Sequence, residues 1–457
     1  MKKTIVMCHG VFDVLTPGHV DHLVAAKLAG GENAELVVSV TADEFVNKGP
    51  GRPVHNVRER ARALTALRVV DRTIINMEAD AAQLIEYVVK PDIYAKGYDY
   101  VEDGDLAGNL DREREAVERI GGKIVFTETE IRSTTRYLNN AAPPLPEETM
   151  EWLRGFRERY SEEDVRRWLD KASKVRVASA GEHIIDEYVT VKPMGRSAKD
   201  SIVAWTAEGS NEWAGGIVSV QKHTLAVADS SAGYVMPRQV LLRKRRYVEQ
   251  PFVNKVFAIY EIESQLNGNE VEYQFEHDLL TVVDYGHGLF DVISIPTLTP
   301  PFLALTVQAN SMNWGMNTLR KWTKLTNVNY VVLDEAEARL NFQDDHSDPE
   351  TLLGMMIRDA LASVGAITLG HNGCVIADDD VDRWERIPAF ATKVVDRIGA
   401  GDAFLAVTAP LAAVGAPPAV IGFVGNIAGA IQVGRIGNSK PVERKELRQW
   451  VHTLLTL

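Results

Sequence analysis

The sequence predicts an α/β protein of two domains, a doubly wound parallel sheet in the N-terminal part and a second α/β domain with a β-rich portion after it. Three observations carry that expectation. The chain has 457 residues, more than one hydrophobic core usually supports. Short β-branched apolar runs alternate with segments of helical spacing, the pattern of parallel strands joined by crossover helices. A tract rich in proline and without periodicity, Asn139-Asn-Ala-Ala-Pro-Pro-Leu-Pro146, separates two such alternations and reads as a linker.

In the first alternation, Thr4–Cys8 and Glu35–Thr41 read as strands, with helical spacing over Gly18–Leu28 between them. A helix follows at Asn56–Leu67, a strand at Arg72–Asn76, a helix at Ala81–Val89 and a strand at Asp92–Lys96. A charged helix at Asp111–Ile120, a strand at Lys123–Thr127 and a helix from Ser133 complete it. Ligands of such sheets sit at the carboxyl ends of the strands, so Gly10–His19 and Lys96–Tyr100 are expected on one rim. The domain boundaries expected are residues 1–140, a linker with a charged helical segment at 141–174, and a second domain at 175–457. Within the last, a β-rich portion at about Glu187–Ile262 precedes strands at Leu279–Tyr285, Phe302–Val307 and Val328–Leu333.

A net charge of −13 argues against nucleic acid or an anionic membrane as partner. The basic run Arg243-Lys-Arg-Arg246 reads as a solvated strand face. Two cysteines, Cys8 and Cys374, support neither a disulfide framework nor a cysteine zinc site, and suit a reducing cytoplasm. The chain opens without a cleavable apolar segment, so a cytoplasmic location is expected. Phe404–Val433 is apolar and long, but Gly415-Ala-Pro-Pro418 divides it into two helices too short to span a bilayer.

Two stretches carry phosphate chemistry. In Asp396-Arg-Ile-Gly-Ala-Gly-Asp402-Ala-Phe404, a glycine turn opens an apolar helix, offering backbone N–H groups and a helix N-terminus to an anion in transit. The carboxylate beside them can take a proton from an attacking hydroxyl. In His9-Gly-Val-Phe-Asp-Val-Leu-Thr-Pro-Gly-His19, a histidine near a helix start can donate to phosphates, and Thr16 can supply a hydroxyl.

Gly10-Val-Phe-Asp13 followed by Thr16-Pro-Gly-His19 resembles the cytidylyltransferase-like nucleotidylyltransferase superfamily, in its Thr-x-Gly-His form. The resemblance implies a Rossmann-like sheet and attack of an acceptor phosphate oxygen on the α-phosphorus of a nucleoside triphosphate. It makes His19, Thr16 and Lys48 catalytic, and Gly10, Phe12, Asp13, Gly18, Arg60 and Arg68 nucleotide- and phosphate-binding. Lys48-Gly-Pro-Gly-Arg-Pro53 resembles the family's phosphate-facing loop, and Ile131-Arg-Ser133-Thr134-Thr135 its closing motif. Lys96-Gly-Tyr-Asp99-Tyr100 resembles the heptose-phosphate branch, which implies substrate contacts from Lys96 and Asp99, and Glu128 stands where glycerol-phosphate cytidylyltransferases carry arginine.

From about residue 175 the chain resembles the ribokinase/PfkB family of carbohydrate kinases, which implies a ribokinase-like α/β domain with a small β-rich lid. Asp402 then becomes the general base, with Gly399, Ala400 and Gly401 as the anion hole. Asp334-Glu-Ala-Glu337 stands for the motif that organises Mg²⁺, an ion suited by oxygen ligands, and makes Asp334 and Glu337 the metal residues. Asp186, Gly215, Gly216 and Asp284 take the sugar-facing positions. This chain departs from the family at Ser219, Asp334, His287, Val307-Gln-Ala-Asn310 and Arg397, which points to an unusual acceptor or an impaired kinase.

Together the two stretches resemble bifunctional heptose-phosphate kinase/adenylyltransferases with the domain order reversed. That implies one domain phosphorylating a sugar or sugar phosphate with ATP and Mg²⁺. The other would transfer a nucleotidyl group from a second triphosphate, ATP or CTP, to a sugar phosphate. A homo-oligomer, a dimer, is the expected assembly. Two alternatives stand beside it: a polyol- or amino-alcohol-phosphate cytidylyltransferase with an attached kinase, and a ligand-binding regulator with one inactive domain.

Overall fold

Five parallel strands organise the first part of the chain: β1 (Thr4–Gly10), β2 (Ala34–Thr41), β3 (Arg72–Asn76), β4 (Ile93–Gly97) and β5 (Lys123–Thr127), in the order β3-β2-β1-β4-β5. The computed structural model describes residues 3–46, 48–97, 109–127, 145–233, 238–250, 253–267, 276–290, 300–324, 326–380 and 383–457. Contacts divide the chain into two units, Met1–Pro146 with His452–Leu457, and Glu147–Val451.

In the first unit, side chains of β1 alternate between two cores, as strand geometry requires. Val6 and Cys8 join Leu23, Val38 and Leu64 on one face, while Met7 joins Val37, Ile85 and Val117 on the other. Helices α1 (Pro17–Ala29) and α2 (Val57–Thr65) cover the first face and α3 (Asn109–Arg119) the second. Thr16 enters α1 in an extended conformation with Pro17 at the first helical position, where a missing N–H costs nothing. Asn56 caps α2 by accepting from the N–H groups of Arg58 and Glu59. The segment expected as a helix at Ala81–Val89 winds more widely and is π-helical over Leu84–Val89.

The second unit has two sheets. The larger contains β6 (Arg176–Gly181), β9 (Ser230–Gly233), β12 (Leu279–Asp284), β13 (Leu303–Val307), β14 (Tyr330–Asp334), β15 (Val364–Thr368), β16 (Cys374–Asp378) and β17 (Glu385–Ile387). Its order is β17-β16-β15-β14-β13-β12-β6-β9, parallel except at the β16 and β17 edge. The smaller sheet runs β11-β10-β7-β8, from β7 (His183–Arg196), β8 (Val203–Gly216), β10 (Arg238–Glu249) and β11 (Asn254–Asn267). The expected β-rich portion is therefore interrupted. Helix α6 (Ile217–Thr224) and β9 leave it, and β9 pairs with β6 of the large sheet.

The charged segment after the proline tract belongs to this second unit rather than to a linker. It forms α4 (Glu147–Arg159) and α5 (Glu162–Ser173), divided where Ser161 and Asp164 form a capping box. Its helical spacing buries Met150, Leu153 and Phe156. Phe156 stacks on Phe423 at 4.6 Å, with Trp152 at 6.2 Å from the same ring. Phe423 lies on α10 (Pro418–Val433), which follows α9 (Ala400–Ala413) after a short break. The remaining helices used below are α7 (Glu335–Phe342), α8 (Pro349–Ala360) and α11 (Arg444–Thr456). Among the described residues no helix is long and apolar enough to cross a membrane.

Truncating Phe156 removes the ring that stacks on Phe423 and leaves a cavity that rigid neighbours fill only in part. Phe156→Ala is expected to destabilise the second unit by about 3–5 kcal/mol, read from its transition in chemical denaturation. A change below about 1 kcal/mol would place α4 outside the cooperative core.

Candidate active sites

In the second unit the turn Asp396–Gly399 delivers α9 with its N-terminus toward a pocket of about 300 Å³. Gly399 sits at φ +82°, and a Cβ there would lie 2.4 Å from Asn438 Oδ1, so the turn requires glycine. A Cβ on Gly401 would meet nothing within 4 Å. Gly401 therefore leaves open the space in front of the helix N-terminus, where N–H groups favour an anion. Ala400 begins the helix, and Asp402 follows in its first turn.

Asp402 is buried and lines the pocket. Tyr285 Oη donates to its Oδ2 at 3.2 Å and Gln308 Nε2 to its Oδ1 at 3.3 Å. Burial pushes its pKa up to about 6, against the Tyr285 hydrogen bond and the Lys244 ammonium, which pull it down. Burial and the Asp402 carboxylate hold the Tyr285 phenol well above its ordinary value, so Tyr285 remains the donor. The carboxyl is a base poised near neutrality.

Asp334 and Glu337 also line this pocket. Asp334 caps α7: Glu337 N–H donates to Asp334 Oδ1 at 2.7 Å, and Asp334 N–H to Glu337 Oε2 at 2.9 Å. Burial, then the neighbouring Asp334 charge, pushes Glu337 up to about 8. Two crowded oxygen-donor carboxylates are what a bound cation relieves. No cluster of three or more His, Cys, Asp or Glu stands ready to hold a metal among the described residues.

The smaller sheet contributes Ile184, Asp186, Gly216, Lys244 and Arg246 to the lining. Arg246 Nη1 lies 2.5 Å from Asp186 Oδ1, and Asn438 Nδ2 donates to Asp186 Oδ2 at 2.8 Å. A Cβ on Gly215 would fall 2.0 Å from Asp186 Oδ2, and one on Gly216, at φ +56°, 2.5 Å from Glu182 O. The paired glycines thus let β8 pass close to Asp186. Asn438 also accepts from Ser219 Oγ at 3.2 Å, bringing an amide beside the serine that stands for the family's asparagine. Asp396 ties the turn to the sheet, accepting from Tyr188 Oη and Lys255 Nζ, both at 2.5 Å.

In the first unit, β1 delivers the turn Val11–Leu15 into α1. His19 Nδ1 accepts from Thr16 N–H at 3.2 Å, with Thr16 Oγ1 at 3.0 Å. Burial, then the Lys48 ammonium, lowers the His19 pKa. A neutral ring that accepts at Nδ1 carries its proton on Nε2, free to donate to a phosphate. Phe12, at φ +48°, packs edge-on to His19 at 5.6 Å. A Cβ on Gly10 would come 3.1 Å from the Phe12 ring, and Gly18 lies in the first turn of α1. Lys48 is exposed.

The cytidylyltransferase-like family matches residues 7–140, and the pfkB family of carbohydrate kinases matches residues 307–445. The chain joins these two domain types. It is 39% identical over 135 residues to the bifunctional protein HldE of Gluconobacter oxydans, covering 29% of this chain and 26% of that one. With HldE of Magnetococcus marinus it shares 38% over 136 residues, again 29% and 26%. The match lies in the N-terminal region, so the chain spans about a quarter of the length of these relatives. Ribokinase from Thermotoga maritima aligns with 61% of this chain and 99% of its own at 15% identity, with a TM-score of 0.46.

Several residues expected to meet ligands are committed elsewhere. In the cytidylyltransferase-like domain, Arg60 is wholly buried. It donates to the carbonyls of His55, Val11 and Thr41 at 2.5–2.9 Å and to Asp43 Oδ1 at 2.5 Å. It clamps the turn to β2 rather than binding phosphate. Arg68 lies exposed in a turn beyond α2. Asp13 tethers the Lys48–Pro53 loop, accepting from Arg52 Nη1 at 2.8 Å and from Val54 and His55 N–H at 2.7 and 3.1 Å. Burial opposes its charge, but those hydrogen bonds win and hold the carboxyl below its ordinary value.

Lys96 is buried in an ion pair with Glu113 at 2.7 Å. In the kinase-like domain, Asp284 is buried and accepts from Trp322 Nε1 at 2.8 Å, with Lys321 Nζ at 2.5 Å. It organises its loop instead of facing the pocket. Asp99, Glu128, Ser133, Thr134 and Thr135 lie outside the described residues.

Lys244, Arg246, Asn438, Gln308 and Tyr285 line the pocket or hold its side chains without having been named as site residues from the sequence. Gln308 stands in the departing stretch Val307–Asn310, and the two basic residues stand in the run Arg243–Arg246. Along β10 the run alternates, with Arg243 and Arg245 paired to Glu187, Glu212, Glu263 and Glu261, while Lys244 and Arg246 face inward. Strand alternation makes a basic run two-faced. His22, one turn past His19, is buried with its Nδ1 2.6 Å from Thr127 Oγ1.

Removing the Arg60 clamp strands three carbonyls and a carboxylate together. Arg60→Ala is expected to destabilise the first unit by about 3–5 kcal/mol, measured by denaturant unfolding. A direct phosphate role would instead leave stability unchanged and raise the KM for the triphosphate.

Proposed function

We propose that the chain is a bifunctional enzyme of nucleotide-sugar synthesis. Its kinase-like domain phosphorylates a hydroxyl of a heptose-like sugar or sugar phosphate with ATP. Its cytidylyltransferase-like domain condenses a sugar phosphate with ATP or CTP and releases pyrophosphate. The observation that carries the reading is Asp402, a base raised toward neutrality beside an open helix N-terminus.

In the kinase step Asp402 takes the proton of the acceptor hydroxyl as its oxygen attacks the γ-phosphorus, and ADP departs with the cleaved bond's electrons. The backbone N–H groups at Ala400–Asp402 face the charge that develops on the transferred group. Tyr285 and Gln308 keep the carboxylate aimed, and Asp334 and Glu337 are the residues that would hold Mg²⁺. That ion would supply positive charge to the phosphate oxygens. In the nucleotidyl step an acceptor phosphate oxygen attacks the α-phosphorus and pyrophosphate leaves. His19 donates from Nε2 to the phosphates, with Thr16 fixing the ring and Lys48 adding charge.

Each domain has its own test. Loss of one aimed donor costs about 10²–10³ in rate, so His19→Ala is expected to suppress pyrophosphate release by that factor while ADP formation persists. Equal loss of both in a folded protein would refute independent sites. Asp402→Asn should abolish acceptor-dependent ADP formation yet spare ATP binding, and Glu337→Gln should raise the Mg²⁺ concentration needed for half-maximal rate.

The base works only when deprotonated, so the wild-type kinase rate should fall as pH drops through about 6. A rate flat from pH 5 to 8 would remove Asp402 as the base. If no sugar or sugar phosphate stimulates ADP release, the kinase reading fails and a ligand-binding role replaces it.

A further inference from the structure

Among the described residues three cations line the kinase-like pocket, and two of them are already engaged. Arg246 is paired with Asp186, and Lys244 lies in the field of the Asp186, Asp402 and Glu182 carboxylates. Arg397 is the third. Its side chain is exposed and, among the described residues, makes no hydrogen bond or ion pair. It is also one of the positions where this chain departs from the family it resembles, two residues before the turn glycine Gly399.

The turn explains why this charge stays unspent. The carboxylate next to it, Asp396, is filled by four donors. Lys255 Nζ and the Ile398 N–H reach its Oδ1 at 2.5 and 3.2 Å. Tyr188 Oη and the Gly437 N–H reach its Oδ2 at 2.5 and 3.0 Å. On the other side, Gly399 holds the chain at φ +82°. The backbone of Arg397 is thus fixed from both sides while its side chain is free. Such an arm has a rigid base beside the space that Gly401 leaves open.

The same pocket gathers three carboxylates, Asp334, Glu337 and Asp402, around the space that a triphosphate must enter. Backbone N–H groups at the helix N-terminus answer that polyanion with partial charge only. A guanidinium adds a full positive charge, and its planar fork matches two oxygens of one phosphate. We infer that Arg397 closes on the terminal phosphate of the bound nucleotide and stabilises the charge on that group as it passes to the acceptor. The passage itself rests on the kinase reading, whereas the contact with a bound triphosphate does not need turnover. Bonds and proton move as in the kinase step above, and Arg397 donates hydrogen bonds without giving up a proton.

The test is calorimetric titration of the full chain, in magnesium chloride, with ADP and with the β,γ-imido analogue of ATP. Heat that persists in Gly401→Val, whose side chain fills the space before the helix, belongs to the other domain and is subtracted. Arg397→Met should weaken the analogue about 10- to 100-fold and ADP by less than about twofold. Arg397→Lys keeps the charge without the fork and should recover part of that loss. The nucleotide-free melting temperature should stay unchanged in both variants, since the side chain has no protein partner to lose among the described residues. In turnover with a productive acceptor, Arg397→Met should lower kcat about 10²–10³-fold at constant acceptor KM.

The inference is overturned if Arg397→Met binds the analogue as the wild type does. It is overturned too if ADP affinity falls in step, which would put the contact on a phosphate that both nucleotides share. A lower melting temperature without nucleotide would make Arg397 a structural residue and has the same consequence. Acceptor-stimulated ADP release that survives Arg397→Met removes the inference and keeps the kinase reading. Selective loss of the analogue, with no ADP release from any acceptor, does the reverse, so the two failures are distinguishable.

Discussion

Charge taken out of water must find a partner, and that constraint shapes both units of this chain. In the kinase-like unit, Asp402 is held by Tyr285 and Gln308, Asp186 by Arg246 and Asn438, and Asp396 by Tyr188 and Lys255. These pairings join segments 60 to 252 residues apart in the chain. They fix the turn at Gly399, the small sheet and the loop after β12 around one pocket. Among the described residues, His287 is the buried exception near this pocket, with neither ring nitrogen hydrogen-bonded.

The same constraint separates scaffold from site in the cytidylyltransferase-like unit. Arg60, Asp13 and Lys96 are expected at the nucleotide or substrate, yet each has protein partners for its charge. A guanidinium that spans several carbonyls has few donors left for a ligand. His19 differs because, among the described residues, its hydrogen-bond partner Thr16 lies on Nδ1, and burial lowers the ring's pKa. Thr16 takes part in that arrangement by orienting the ring from both its backbone and its hydroxyl.

The sequence by itself determined the class of each domain and the identity of the residues in their phosphate turns. The strand–helix alternation named the sheets, since period 2 and period 3.6 leave different spacings of apolar residues. The glycines of the Gly399–Gly401 turn and the Thr16–His19 motif were legible because their chemistry is local: a turn, a helix start and a donor within a few residues. The break at Gly415–Pro418 was legible for the same reason.

Only the tertiary structure decided which charged residues serve the site. Nothing local distinguishes Lys244 from Arg243, or Arg60 from its neighbours, until strand pairing turns alternate side chains inward and packing buries one guanidinium among carbonyls. Likewise, the amphipathic segment at residues 147–174 revealed its helices but not the partner of its apolar face, which Phe423 supplies from far along the chain. Local periodicity states that a face must be buried, and only the assembled core states against what.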